Sequence, residues 1–97
     1  MTMQQTEIHL TGKLICTSDQ DAEIVRRHLP EHIRLTRQEA GCRSFDVSAT
    51  DDPLVWRVAE CFADQAAFEF HQLRTGASDW WQATAHIKRE FEVTGLA

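Results

Sequence analysis

Apolar side chains alternate from the start of the ordered pattern. Ile8, Leu10, Leu14 and Cys16 fall on one side of an extended chain together with Gly12, and His9, Thr11 and Lys13 fall on the other. This predicts a first strand from Ile8 to Cys16. Thr17-Ser18-Asp19-Gln20-Asp21 then offers hydroxyls and carboxylates to the orphan amides of a helix start, with negative charge where the helix dipole favours it. In the helix that follows, Val25, Leu29, Ile33, Thr36 and Ala40 recur at three- and four-residue steps as the buried stripe. Glu23, Arg26, Arg27, Glu31, Arg34 and Arg37 take the wet side. Pro30 lacks an amide hydrogen and crowds the preceding turn, so it is expected to kink the helix near Arg26 to Leu29 or to divide it. Gly41, able to adopt left-handed backbone, is the expected stop.

Beyond that hinge the period changes from helical to alternating. Phe45, Val47 and Ala49 alternate with Ser44, Asp46 and Ser48 as a second strand, and Thr50-Asp51-Asp52-Pro53 makes a turn. The third strand, Leu54 to Phe62, therefore pairs antiparallel with the second. Leu54, Trp56, Val58, Glu60 and Phe62 share one face, but Val55, Ala59 and Cys61 make the other apolar too, which implies a central strand covered on both sides. Asp64 caps a second helix running to about Arg74, with Ala67, Phe68, His71 and Phe70 competing for its inward face. Ser78-Asp79 caps one further turn carrying Trp80 and Trp81. Ile87, Phe91 and Val93 then alternate with Lys88, Glu90 and Glu92 as a last strand.

Strand, helix, strand, strand, helix, strand with right-handed crossovers gives an α+β, ferredoxin-like βαββαβ antiparallel sheet with both helices on one face. The other face is left bare. Because the third strand is apolar on both sides, that face is expected to meet the same face of a second copy in a two-fold homodimer, closing a dimeric α+β barrel.

With 97 residues the chain makes one domain, 1–97, with a modest two-layer core. A formal charge of -5 with no local cluster of Lys and Arg argues against nucleic acid as a partner. No apolar run is long enough to cross a bilayer, and Met1 to Glu7 lack the basic and apolar segments of a secretory leader, so no membrane partner and a cytoplasmic location are expected. Cys16, Cys42 and Cys61 are odd in number and widely spaced, which suggests neither a disulfide framework nor a thiolate zinc site.

Three stretches in this order resemble the antibiotic biosynthesis monooxygenase family. They are His32-Ile33-Arg34-Leu35-Thr36-Arg37 leading into Glu39-Ala40-Gly41-Cys42 and Phe45-Asp46-Val47; then Glu60; and then Asp64-Gln65-Ala66-Ala67-Phe68 ending in His71. The resemblance covers nearly the whole chain. It implies a pocket between helices and sheet and, in several members, oxygenation of phenols, quinols or polycyclic aromatics by molecular oxygen without metal or flavin. No cofactor and no metal are therefore expected, and the substrate would be a small electron-rich aromatic or quinol-like molecule. Other members degrade haem, isomerise small molecules or have no known activity, so a non-oxidative isomerase or lyase and a non-catalytic binding protein are the alternatives. The haem-degrading members use an Asn, a Trp and a His, whereas this chain has no Asn and carries Phe62 where their strand tryptophan aligns. It has no Tyr to serve as a phenolic donor either.

His71 matches the family's helical histidine and is the candidate proton acceptor; a core histidine bonded to a backbone carbonyl is the structural alternative. Glu60, on the inward face beside Trp56 and Val58, needs a partner if buried. That partner is either His71, in a pocket acid with a raised pKa, or one of Arg57, Arg43 and Arg89 in an ion pair. Trp56, Trp80, Phe62 and Phe68 are candidates to line an aromatic-binding cavity. His28 and His32 stand four apart, but Pro30 between them and the want of a third ligand make them surface histidines rather than a metal pair.

Overall fold

The computed structural model describes residues 6–96; the reading of Met1 to Gln5 as no leader lies outside the described residues. The elements are β1 (Ile8–Ile15), α1 (Asp19–Arg37), β2 (Cys42–Ala49), β3 (Val55–Phe62), α2 (Gln65–Gly76), α3 (Asp79–Thr84) and β4 (Lys88–Thr94). The sheet order is β2-β3-β1-β4 with every neighbouring pair antiparallel, the ferredoxin-like arrangement expected from the alternation. Leu10, Leu14, Trp56, Val58 and Phe62 from one sheet face join Ala22, Val25, Leu29, Phe68 and Trp80 from the helices in a single core. Burying that apolar surface is what holds the two layers together.

Each helix begins on a side-chain cap. The Ser18 hydroxyl accepts from the Asp21 amide, the Asp64 carboxylate from the Ala67 amide, and the Ser78 hydroxyl from the Trp81 amide. α1 runs unbroken for 19 residues with Pro30 inside it, so the expected division of this helix does not occur. Pro30 is exposed, and the burial of Val25, Leu29, His32 and Thr36 on both sides of it outweighs one lost backbone bond. The buried stripe is Ala22, Val25, Leu29, His32 and Thr36. After Leu29 the stripe steps by three, to His32, where hydropathy alone favoured the four-residue step to Ile33; Ala40 is exposed beyond the helix end. His32 is therefore a buried residue and not a surface one.

The hinge also differs in its cause. α1 stops at Arg37, where the amide of the capping residue Gln38 donates to the Leu35 carbonyl and that of Glu39 to the Thr36 carbonyl. Positive φ is confined, among the described residues, to Gly12 and Gly95. Gly41 is needed instead for space, because a Cβ there would sit 2.2 Å from the Ala67 Cβ where α2 passes over the hinge. Phe70 of α2 is 57% exposed, so it loses the competition for the inward face to Phe68 and His71.

The sheet face away from the helices carries His9, Thr11, Lys13, Arg57, Asp46, Lys88 and Glu90 as well as half-buried Ile15, Val55 and Ala59 and buried Cys61. The apolar part of that face is a narrow strip along β3 and the end of β1.

Candidate active site

Between the helices and the sheet lies a cavity of about 250 Å³ lined by residues from every layer. β3 presents Val58 and Glu60 to it, β2 presents Phe45 and Val47, and β1 presents Leu10 and Leu14. α1 contributes His32, α2 contributes His71 and Thr75, and α3 contributes Trp80. Exposed Gln72, Trp81 and Phe91 form part of the lining and mark its mouth.

His71 is held more firmly than the sequence suggests. Its Nδ1 lies 3.1 and 3.2 Å from the two carboxylate oxygens of Glu39. A carboxylate can only accept, so Nδ1 carries the hydrogen and Nε2 keeps its lone pair. Nε2 accepts from the Thr75 hydroxyl at 3.3 Å and stands 3.7 Å from a Glu60 oxygen. Glu39 is itself fixed from the other side by Arg74, which donates from Nε to the same carboxylate and from Nη2 to the Thr36 hydroxyl at 2.8 Å. The Thr36 hydroxyl donates in turn to the His32 carbonyl at 2.7 Å, which ties the array to the backbone of α1. Side chains of His71 and Glu39 are only 3% and 5% exposed, so this dyad works out of water. Burial lowers the His71 pKa, and the hydrogen bond and charge of Glu39 act against that fall.

Glu60 shows the opposite pressure. Burial pushes its pKa up to about 8, the Glu39 charge adds to the rise, and Arg89 works against it. At neutral pH it is a protonated acid facing the Nε2 of a neutral imidazole. The ion pairs expected as an alternative do not form: Arg57 points from the opposite sheet face, Arg43 pairs with Glu7, and Arg89 acts through space. Arg89 is occupied by the α3 end, donating to the Thr84 and Ile87 carbonyls at 2.8 and 3.0 Å and to the Thr84 hydroxyl at 2.9 Å. Its guanidinium lies 4.9 Å from the Trp81 ring centre, which leaves a fixed positive charge on the cavity wall.

The aromatic wall is built by α3 and α1. Trp80 stacks on His32 with ring centres 4.9 Å apart and planes 5° from parallel, and His32 meets Phe45 edge-on at 5.3 Å. Burial drives the His32 pKa down to about 3, so this imidazole is neutral. Its Nδ1 is buried and finds no hydrogen-bond partner. Of the expected lining residues, Trp80 lines the cavity. Trp56, Phe62 and Phe68 belong to the core instead, where Phe62 packs against the His71 ring at 4.8 Å and Phe68 packs behind Phe62 at 5.8 Å. Glu39, Arg74, His32 and Arg89 were not singled out as site residues from the sequence. The Glu39 contacts span 32 and 35 positions, a distance over which no local spacing speaks.

A two-layer ferredoxin-like protein with a buried carboxylate–histidine dyad opening on an aromatic cavity is the class this geometry defines. The antibiotic biosynthesis monooxygenase family model matches residues 8–92, and the chain belongs to that family. Solved structures agree on the fold. A Nitrosomonas europaea protein, provisionally described as an antibiotic biosynthesis monooxygenase, superposes with a TM-score of 0.79 at 15% identity, covering 99% of this chain and 95% of its own. PA3566 from Pseudomonas aeruginosa gives 0.74 at 18% identity, covering 99% of each chain. SO0527 from Shewanella oneidensis gives 0.67 at 26% identity, covering 95% of this chain and 90% of its own. No curated protein matches the chain.

Proposed function

We propose that this protein is a cofactor-independent monooxygenase that oxidises a small electron-rich phenol or quinol with molecular oxygen. The observation that carries the reading is His71 Nε2, oriented by Glu39 and met at 3.3 Å by the Thr75 hydroxyl, a donor that a phenol entering the tryptophan-walled cavity would replace. Family membership supports the reaction type. The cavity size supports a ligand of one or two rings, since about 250 Å³ lies just below the ~300–1,000 Å³ of pockets for drug-sized ligands.

In the proposed reaction the phenol stacks on Trp80 and His71 Nε2 accepts its proton, the imidazolium being stabilised by Glu39. The phenolate, facing the Arg89 charge, passes one electron to dioxygen. The resulting phenoxyl radical and superoxide combine at a ring carbon, and the peroxide oxygen takes the proton back from His71. His71 then removes the hydrogen of that carbon as the O–O bond breaks, and the departing hydroxide leaves as water with the same proton. A quinol and dioxygen thus give a hydroxyquinone and water, with all four electrons drawn from the substrate. Protonated Glu60, 3.7 Å from Nε2, donates a hydrogen bond to the developing oxyanion.

Oxygen uptake by the purified protein with a panel of hydroquinones and anthrones tests this. Uptake above the autoxidation blank is expected with at least one of them. If none drives it, the Glu60 and His71 pair favours a second reading, a non-oxidative isomerase or lyase using the two as acid and base, with metabolite binding alone as the remaining case. The half-buried strip of Ile15, Val55 and Ala59 supports a homodimer joined over the open sheet face. Three unpaired thiols support a cytoplasmic location.

A further inference from the structure

Glu7, His9 and Cys61 form a second cluster, on the sheet face opposite the cavity. His9 and Cys61 are directly paired across β1 and β3, and Glu7 lies two positions before His9, on the same side of an extended chain. Cys61 Sγ is 3.8 Å from His9 Nε2, His9 Nε2 is 3.8 Å from Glu7 Oε1, and all three ligand atoms lie within 4.8 Å of one another. Zinc bonds to sulfur, imidazole nitrogen and carboxylate oxygen of about 2.0–2.3 Å at tetrahedral angles place such atoms roughly 3.3–3.6 Å apart. Rotation of exposed side chains is enough to close that difference.

We propose that Glu7, His9 and Cys61 form a zinc site, with water in the fourth position. The donor set selects the ion: a thiolate and an imidazole favour zinc over the hard cations that take oxygen alone. Arg43 Nε holds Glu7 Oε2 at 3.3 Å, which turns Oε1 toward His9, the outer contact that fixes a ligating carboxylate. Zinc takes the thiolate, so binding at Cys61 displaces the thiol proton to solvent. His9 and Glu7 side chains are 54% and 48% exposed in the single chain and lie at the β1 start, at the opposite end of that strand from Ile15 and Val55, which leaves the ion an entry path beside a dimer seam over the apolar strip. Ligands on two paired strands would clamp the β1 start to the β3 end, and nothing in the site touches the cavity chemistry.

Zinc titrated into the purified protein, in its own assembly state, against a chromophoric chelator tests the site, with cobalt as the spectroscopic probe. One equivalent per chain and a thiolate-to-cobalt charge-transfer band are expected. Cys61→Ser should abolish the band, and His9→Ala and Glu7→Gln should weaken zinc binding at least about tenfold. Cys16→Ser and Cys42→Ser should change neither. Because His9 and Glu7 are half exposed, their variants fold even if Cys61→Ser does not. A cobalt spectrum without the thiolate band, or zinc affinity unchanged in both His9→Ala and Glu7→Gln, overturns the proposal.

Discussion

At the residue scale, Glu60 gives the clearest pH signature. Its folded-state pKa of about 8 stands above its ordinary value near 4.5, so the folded protein binds that proton more tightly than the unfolded chain. Stability from this group is full below about 4.5, falls as pH rises toward 8, and is level beyond. Glu60→Gln removes the effect, and the unfolding free energy of the variant should gain on the wild type between pH 5 and 8, by on the order of 4 kcal/mol at the upper end. A difference that stays flat over that window would show that Glu60 ionises normally. Catalysis should share the alkaline limb near 8, and Glu60→Gln should remove it. Glu39 is a positioning residue. Its hydrogen bond and charge raise the His71 pKa, so Glu39→Gln should move the acid limb of the rate profile to lower pH while slowing the reaction. His71 and Glu60 were legible in the sequence because each sits on an inward face in a periodic element. His32 was not, because a stripe of period 3.6 permits steps of three or four, and hydropathy points to Ile33, which packs half-buried against the core, and passes over the more deeply buried His32. Glu39 and Arg74 were hidden for a different reason: their partner lies across the helix layer.

At the element scale, the hinge between α1 and β2 decides where Glu39 stands. It lies two residues before Gly41, which lets α2 approach to the distance at which His71 and Arg74 reach the carboxylate. Gly41→Ala puts a methyl group into the Ala67 Cβ and should cost about 1–3 kcal/mol in chemical denaturation. Ala67→Gly on that background should restore part of it, whereas a loss untouched by the second change would mean backbone strain rather than crowding. Strand and helix types were readable throughout, since period two and period 3.6 are distinct and Ser18, Asp64 and Ser78 mark the helix starts. The reason for Gly41 was not readable, because glycine serves both left-handed backbone and close approach, and only the packed neighbour tells them apart. The persistence of α1 through Pro30 was equally beyond local rules; packing on both sides of it decides.

At the scale of the whole molecule, one sheet face makes the cavity and the other remains open. Pairing over the open face predicts a sedimentation mass of two chains at micromolar concentration, and a mass near one chain would contradict it. Among the described residues no helix is long and apolar enough to cross a membrane. In the proposed reaction the Glu39–His71 dyad deprotonates an aromatic substrate so that it reacts directly with dioxygen. Turnover of an active quinol or anthrone under isotopically labelled dioxygen, with chelator present, is the decisive experiment. One labelled oxygen atom in each product molecule is expected, with the rate falling about 10²–10⁴-fold in His71→Ala while ligand quenching of tryptophan fluorescence persists. Product without label, or an undiminished rate in His71→Ala, would contradict it.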